Sequence, residues 1–248
     1  MRKSPTPSDY LGSMPRIPRV VVPGSWHHVT QRGNHQQAVF FDNSDRRFYL
    51  DLLRDHATHY SVRITGYCLM GNHVHILAVP EKANGLATAL GRTHNDYSRW
   101  LNLKHRTTGH LWQSRFYSCP LDESHSWEAL RYAELNPVRA GLARKAVEWP
   151  WSSARAHSSG ADAASLIDLA DWRAQWSPDT WEEALNRGIA DAALFERIRE
   201  STRTGRPAGD ADYLKRAEET TGRRLRPGTR GPKPRVRDQA AYLQLEVA

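Results

Sequence analysis

Cysteine is nearly absent from this chain of 248 residues. It has two, Cys68 and Cys119. That is too few for a disulfide framework, and their spacing is not that of a C-x-x-C metal site. A reducing compartment is the expectation. Long apolar runs are missing too. None approaches the roughly 18 residues needed to span a bilayer, so no membrane partner is expected. The N-terminal stretch "MRKSPTPSDYLGSMPRIPRV" lacks the apolar centre of a secretory signal and reads as a disordered leader over residues 1–13, with Met14 as a candidate start. Acidic side chains are in deficit: 27 Asp and Glu stand against 35 Lys and Arg, a net charge of +8. Such a balance points to a polyanionic partner, nucleic acid before a membrane surface. The expected location is therefore cytoplasmic and nucleoid-associated. The apolar fraction of 39% supports a real core but is low for a wholly packed chain of this length.

Along the chain, "SWHHVTQRGN" from Ser25 reads as a strand ending in a Gly-Asn turn. "DNSDRRFYLDLLRDHATHY" has helical spacing and N-cap candidates at Asp42, Asn43 and Ser44. "SVRITGYCLM" and "HVHILAVP" are strands joined by a two-residue turn, Gly71-Asn72. "GLATALGRTHNDYSRWLNLKH" is a second helix, "HLWQSRFYSCPL" a further strand, and "DESHSWEALRYAELN" a third helix stopped by Pro137. Strand, helix, hairpin, helix, strand is the split βαβ, or ferredoxin-like, order of an α+β fold. Two helices cover one face of the antiparallel sheet, and the third has the open face available. Beyond residue 157 the character changes. Residues 158–200 read as a linker and helical extension, and 201–248 as a basic segment. Between Ser201 and Arg237 there are 11 Lys and Arg against 4 Asp and Glu. That concentration is either a solvated tail or a nucleic-acid contact, with Arg223, Arg224, Arg226 and Arg230 as candidate DNA-binding residues.

The chemistry centres on "YCLMGNHVHILAVP". Side chains alternate along a strand, so His73 and His75 share one face of an inner strand. Two imidazoles side by side can hold a metal ion; they can equally be ordinary strand residues. In "RYAELNPVRAG", Tyr132 and Asn136 lie four apart, on one side of a helix. Tyr is a candidate nucleophile and Asn a neutral oxygen ligand; a core aromatic and a helix cap are the plain alternatives. Packed on the open face, that helix carries Tyr132 and Asn136 over the histidines. A mixed nitrogen and oxygen donor set with open positions suits a catalytic Mg²⁺ or Mn²⁺. His27, His28, Arg32, Trp112, Gln113, Arg115 and Phe116 fall near strand ends, the mixture of cations and aromatics that holds single-stranded DNA. Trp112 and Phe116 are also plausible core.

Five segments in order carry a resemblance: "MPRIPR" at 14–19, "GNHVHIL" at 71–77, "GHLWQSRFY" at 109–117, "YAELNPVRAGL" at 132–142 and "WPWSS" at 149–153. The chain resembles the REP-associated tyrosine transposases, a branch of the single-tyrosine HUH transposases of bacterial insertion sequences. The likeness covers roughly residues 14 to 155, with a catalytic domain over 14–157, and the basic tail is similar to the extension of longer members. It implies His73 and His75 as metal ligands, Asn136 as the third ligand and Tyr132 as the nucleophile. It further implies nicking and rejoining of single-stranded DNA at hairpins of repeated extragenic palindromes, through a 5′-phosphotyrosine link that leaves a free 3′-OH.

Two other readings compete. One is a domesticated protein that binds DNA hairpins without cutting. The other is a phosphoesterase with paired H-x-[ST] motifs, for which His28, His59 and His157 supply candidates. Tyr97 and Tyr117 lack a ligand-type residue four positions on. Tyr97, on the second helix, is expected on the opposite sheet face. The chain is expected as a monomer or homodimer. The short link from Cys119 to Ser124 favours a tyrosine helix packed on its own sheet.

Overall fold

The computed structural model describes residues 18–162, 164–188 and 192–226. The leader 1–13, most of "MPRIPR", Arg230 and the rest of the tail lie outside them.

Four strands form one antiparallel sheet: β1 (Trp26–Arg32), β2 (Val62–Leu69), β3 (His73–Pro80) and β4 (Tyr117–Leu121), in the order β2-β3-β1-β4. Helix α1 (Asn43–His59) connects β1 to β2, and α2 (Gly85–His105) connects β3 to β4. This is the expected ferredoxin-like arrangement. Asp42 starts α1 with a reciprocal capping box to Asp45, which satisfies two amides the helix itself cannot. The hairpin between β2 and β3 turns at Gly71 and Asn72, closed by Met70 N–H donating to the His73 carbonyl at 2.9 Å. The last strand is shorter than expected. Residues 110–116 of "HLWQSRFYSCPL" are irregular, and pairing with β1 begins at Tyr117. Pro120 sits on this edge strand, where a missing N–H costs no ladder bond.

Val29, Val74, Ile76 and Ala78 point to one face and pack with Tyr49, Leu53, Leu86, Leu90 and Tyr97 of α1 and α2. The other face carries Cys68, Leu77, Cys119 and Leu121. Helix α3 (Glu123–Glu134), capped by Asp122, lies across it through Trp127, Leu130 and Ala133. Gly66 makes this close approach feasible, because a Cβ there would collide with Leu130 Cδ1. Asp122 alone separates β4 from α3, so the helix packs on its own sheet.

After α3 the chain does not simply stop at Pro137. It breaks at Leu135 and restarts as a one-turn helix, α4 (Asn136–Arg139), with Pro137 in its first turn. Proline has no N–H to continue the α3 ladder, yet it is suited to a first turn. The expected single helix carrying both Tyr132 and Asn136 is therefore two helices.

The later segments are built into the same unit. Helices α5 (Ala154–Ser159), α6 (Ala170–Gln175), α7 (Pro178–Gly188) and α8 (Ala192–Thr204) bring Ala154, Trp172, Trp181, Leu185, Phe195 and Ile198 into one apolar core with α3. Helix α9 (Ala211–Thr221) and Leu225 close over Val20 and Val22. Both sheet edges are covered. Residues 151–153 and 168 hydrogen-bond along β2, and Ala208 does so along β4. Exposed edges invite pairing with other chains, and these are not exposed.

Candidate functional site

His73 and His75 emerge from the start of β3 on the face covered by α3, with ring centroids 5.1 Å apart and planes at 81°. Tyr132, near the end of α3, stands edge-on to His75 at 5.3 Å. Asn136, the first residue of α4, points its amide at the same ring, with Nδ2 donating to His75 Nε2 at 3.0 Å. Four side chains from three elements thus meet on one sheet face. They line a cleft of about 540 Å³ together with Arg32, Gln113, Tyr117 and Arg139. The α3 break at Leu135 does not separate Tyr132 from Asn136, because both remain over the histidines.

Behind the pair lies a residue that the sequence reading placed elsewhere. His28, on β1, is buried and faces His75 diagonally across the strand pair. The two rings are parallel within 1°, and their centroids are 5.2 Å apart, too far for face-to-face contact. His28 Nε2 to His75 Nδ1 is 3.0 Å, an edge-to-edge hydrogen bond. His28 Nδ1 meets Thr202 Oγ1 of α8 at 2.7 Å. His27 is also buried, its Nδ1–H donating to the Ser25 carbonyl and its Nε2 accepting from Val22 N–H. Neither histidine is the surface DNA contact expected from its place near a strand end. Strand alternation and pairing turn both inward.

Burial governs the electrostatics. It lowers His28 from its ordinary value to about 3. Burial, aided by Arg32, lowers His73 to about 4, and burial with neighbouring His73 and His28 holds His75 well below the usual range. These rings are neutral at pH 7, the form that can ligate a cation.

Helix α8 forms the remaining wall. Phe195 packs on Tyr132 at 5.5 Å, and the Arg139 guanidinium lies over both rings, 4.2 Å from Phe195 and 5.3 Å from Tyr132. Glu196, Arg199, Glu200 and Arg203 line the cleft, paired within the helix as Arg199–Glu196 and Arg203–Glu200. Their spacing of three, four and seven was a readable signal for one charged helical face, and sequence reasoning passed over it.

The expected DNA contacts divide. Arg32 is exposed at the cleft rim opposite His73, and Gln113 joins it there, its N–H donating to the Arg32 carbonyl. Arg115 lies further along, in a depression shared with Arg19, Phe116 and Arg203. Trp112 is half-buried and serves as packing. Its ring contacts His94 and Tyr97, and Nε1–H donates to the His94 carbonyl. Phe116 is buried beneath the Arg19 guanidinium, 3.6 Å from its ring centre. Arg223 donates to the Arg19 carbonyl, Arg226 approaches Glu218 at 3.5 Å, and Arg224 is exposed. Arg230 lies outside the described residues.

The other tyrosines and histidines also find their places. Tyr97 is buried on the opposite sheet face and donates to the Val39 carbonyl. Tyr117 lines the cleft. The three H-x-[ST] histidines do not converge: His28 is behind the cleft, His59 is exposed at the end of α1, and His157 is buried against Glu134.

Among the described residues no three His, Cys, Asp or Glu side chains stand together as a metal cluster. Two neutral imidazoles and a carboxamide do stand together, an uncharged N/N/O set with room beside it. An amide half-turn exchanges Asn136 Nδ2 for Oδ1 at the same place. The set has the donor chemistry of a divalent-cation site with open positions.

A histidine pair on the inner strand of a ferredoxin-like sheet, faced by a tyrosine helix, is the arrangement expected from the motifs. Residues 22–135 match the family described as IS200-like transposases. A protein of Haemophilus influenzae, provisionally named a REP-associated tyrosine transposase, is 27% identical over 107 residues. That match covers 38% of this chain and 60% of the relative. A solved structure described as a REP-associated tyrosine transposase bound to a REP hairpin superposes with a TM-score of 0.52 at 15% identity, over 63% of this chain and 96% of that one. It supports the fold. Among the described residues no helix is long and apolar enough to cross a membrane.

Proposed function

We propose that the chain is a metal-dependent single-strand DNA nuclease and strand transferase acting at palindromic hairpins, with Tyr132 as nucleophile. The observation that carries this reading is the convergence of Tyr132, Asn136, His73 and His75 on one cleft rimmed by arginine. His73, His75 and Asn136 would hold Mg²⁺ or Mn²⁺. Such an ion, when bound, polarises a phosphoryl oxygen and stabilises the charge that develops on it.

The remaining work belongs to side chains. Arg32 and Arg139 draw a phosphate of the strand into the cleft. The Tyr132 phenol oxygen attacks phosphorus, forming an O–P bond as the bond to the 3′-oxygen breaks. The phenol proton leaves to solvent and the departing 3′-oxygen takes one up, giving a free 3′-OH and a 5′-phosphotyrosine. Attack by another 3′-OH reverses the step and joins strands. The bond energy stays in the phosphotyrosine, so no nucleotide cofactor is required. Hairpin DNA as substrate is supported by the likeness of fold to a protein described as bound to a REP hairpin and by the net charge of +8.

The test uses single-stranded hairpin DNA from the flanks of the gene, labelled at either end, with Mn²⁺ or EDTA, on a denaturing gel. A metal-dependent, protease-sensitive band carrying the 3′ portion of the strand is expected. Specific binding without an adduct in any metal would replace this reading with a non-catalytic hairpin binder.

A further inference from the structure

We infer that Thr202 of α8 and His28 are positioning residues which set the tautomer of His75, and that Asn72 does the same for His73. Each imidazole thereby offers an unprotonated Nε2 to the cleft. The inference rests on the reading of these two histidines as ligands, and it makes α8, outside the matched 22–135 segment, part of the site.

The argument is a count of protons. Thr202 Oγ1 has one hydrogen and three neighbours; the Ile198 carbonyl at 2.8 Å takes the hydrogen, and the Cys119 thiol at 3.5 Å is the more distant partner. A carbonyl can only accept. The same Oγ1 must therefore accept from His28 Nδ1 at 2.7 Å, so His28 carries its proton on Nδ1. His28 is buried and neutral, which leaves its Nε2 bare. At 3.0 Å from that lone pair, His75 Nδ1 must donate. His75 then has a bare Nε2, and this is the atom that faces Asn136. The chain of donors runs from His75 through His28 and Thr202 to a backbone carbonyl. None of these links can reverse without giving up the carbonyl bond at its end.

His73 is set by a second, shorter relay of the same design. Asn72 Nδ2 donates to the Gln36 carbonyl at 3.1 Å, which fixes the orientation of its amide. Oδ1 is thereby turned to His73 Nδ1 at 2.6 Å and accepts its proton. In the neutral ring His73 Nε2 is then bare, with the Asn136 amide as a further partner of that ring. Metal-ligating histidines depend on such outer partners for ring orientation and basicity, and loss of one typically costs about 10- to 100-fold in metal affinity. With the opposite tautomer, an N–H would occupy the direction a cation needs.

Long-range ¹H–¹⁵N spectra of histidine-labelled, metal-free protein read the tautomers directly. His28, His73 and His75 are expected as Nδ1–H forms. Thr202→Val keeps the shape of the side chain but removes the acceptor. It should give His75 mixed or reversed tautomers and weaken Mn²⁺ binding by about 10- to 100-fold, with Thr202→Ser restoring both. Asn72→Ala should disturb His73 and leave His75 unchanged, a control that holds even if Thr202→Val folds poorly by circular dichroism. A proton on Nε2 of His75 in the native protein would overturn the inference. So would a folded Thr202→Val variant with native tautomer and native Mn²⁺ affinity. Native tautomers as expected, with no Mn²⁺ binding, would uphold the relay and refute the metal reading instead.

Discussion

The carboxylate of Glu134 and the imidazole of His157 are 2.6 Å apart, and neither side chain reaches solvent. Glu134 Oε1 also accepts from Ser153, and Oε2 accepts from Trp181 Nε1 at 2.9 Å. One residue of α3, two positions after Tyr132, is thus tied to the strip before α5, to α5 itself and to α7. The "YAELNP" and "WPWSS" segments are parts of a single buried polar knot. A carboxylate taken out of water is tolerated only when it is fully partnered, and removing one partner leaves the others stranded. Glu134→Ala should therefore cost about 3 kcal/mol or more in urea denaturation. Glu134→Gln, which keeps volume and one acceptor, should cost less. A loss under about 1 kcal/mol for Glu134→Ala would show that the knot contributes little beyond an ordinary hydrogen bond.

Tyr132→Phe removes one hydroxyl and leaves the ring between His75, Phe195 and Arg139. Packing is kept, so stability should change by less than about 1 kcal/mol. Hairpin binding should persist, and the covalent DNA adduct should vanish. A persisting adduct would transfer the role to Tyr117, which lines the same cleft. Tyr97 is not a substitute, since its hydroxyl is bonded to Val39 on the far side of the sheet.

Much of this was legible in the sequence. Period-two alternation was enough to put His73 and His75 on one face, and the order of elements was enough to send α3 to the open face. What stayed hidden depended on pairing. His28 lies on a strand whose register against β3 no local pattern reveals, and that register is what brings it behind His75. The break at Leu135 was obscured because Pro137 marks both the end of one helix and the start of another. The late helices read as an extension because their apolar residues, among them Trp172, Trp181 and Phe195, are sparse in sequence. They become core only where α3 collects them. For Trp112 the sequence leaves both a DNA contact and a core place open, and the structure decides for packing, its ring held by His94 and Tyr97.

Arg32 is exposed at the rim of the cleft, beside the histidine pair. A side chain there that meets phosphate alone carries no sequence information. Arg32→Ala should weaken hairpin binding for cognate and scrambled loops alike. It should also reduce the slope of log affinity against log salt by about one. Titrations by fluorescence anisotropy at several salt concentrations give both quantities. A loss confined to one DNA sequence would instead assign Arg32 to base reading.

Three further buried histidines join His73 and His75 in setting the acid response of the metal-free protein. Burial lowers His27 to about 4 and His28 and His94 to about 3, from an ordinary 6.5. The unfolded chain takes up protons as pH falls through 6.5. The native chain refuses them until near its own lower values, so the unfolded state binds more protons in between and stability must fall. Each ring contributes a slope approaching about 1.4 kcal/mol per pH unit. Asp122, whose burial is outweighed by hydrogen bonds from His125, stays below its ordinary 3.8 and loses its contribution only under still more acid conditions. Urea denaturation at pH 7.5, 6.5, 5.5 and 4.5 in EDTA should show stability level above about 7 and falling steadily below it. A flat profile down to pH 4.5 would mean that these rings are hydrated and titrate in the native state as they do in the unfolded chain.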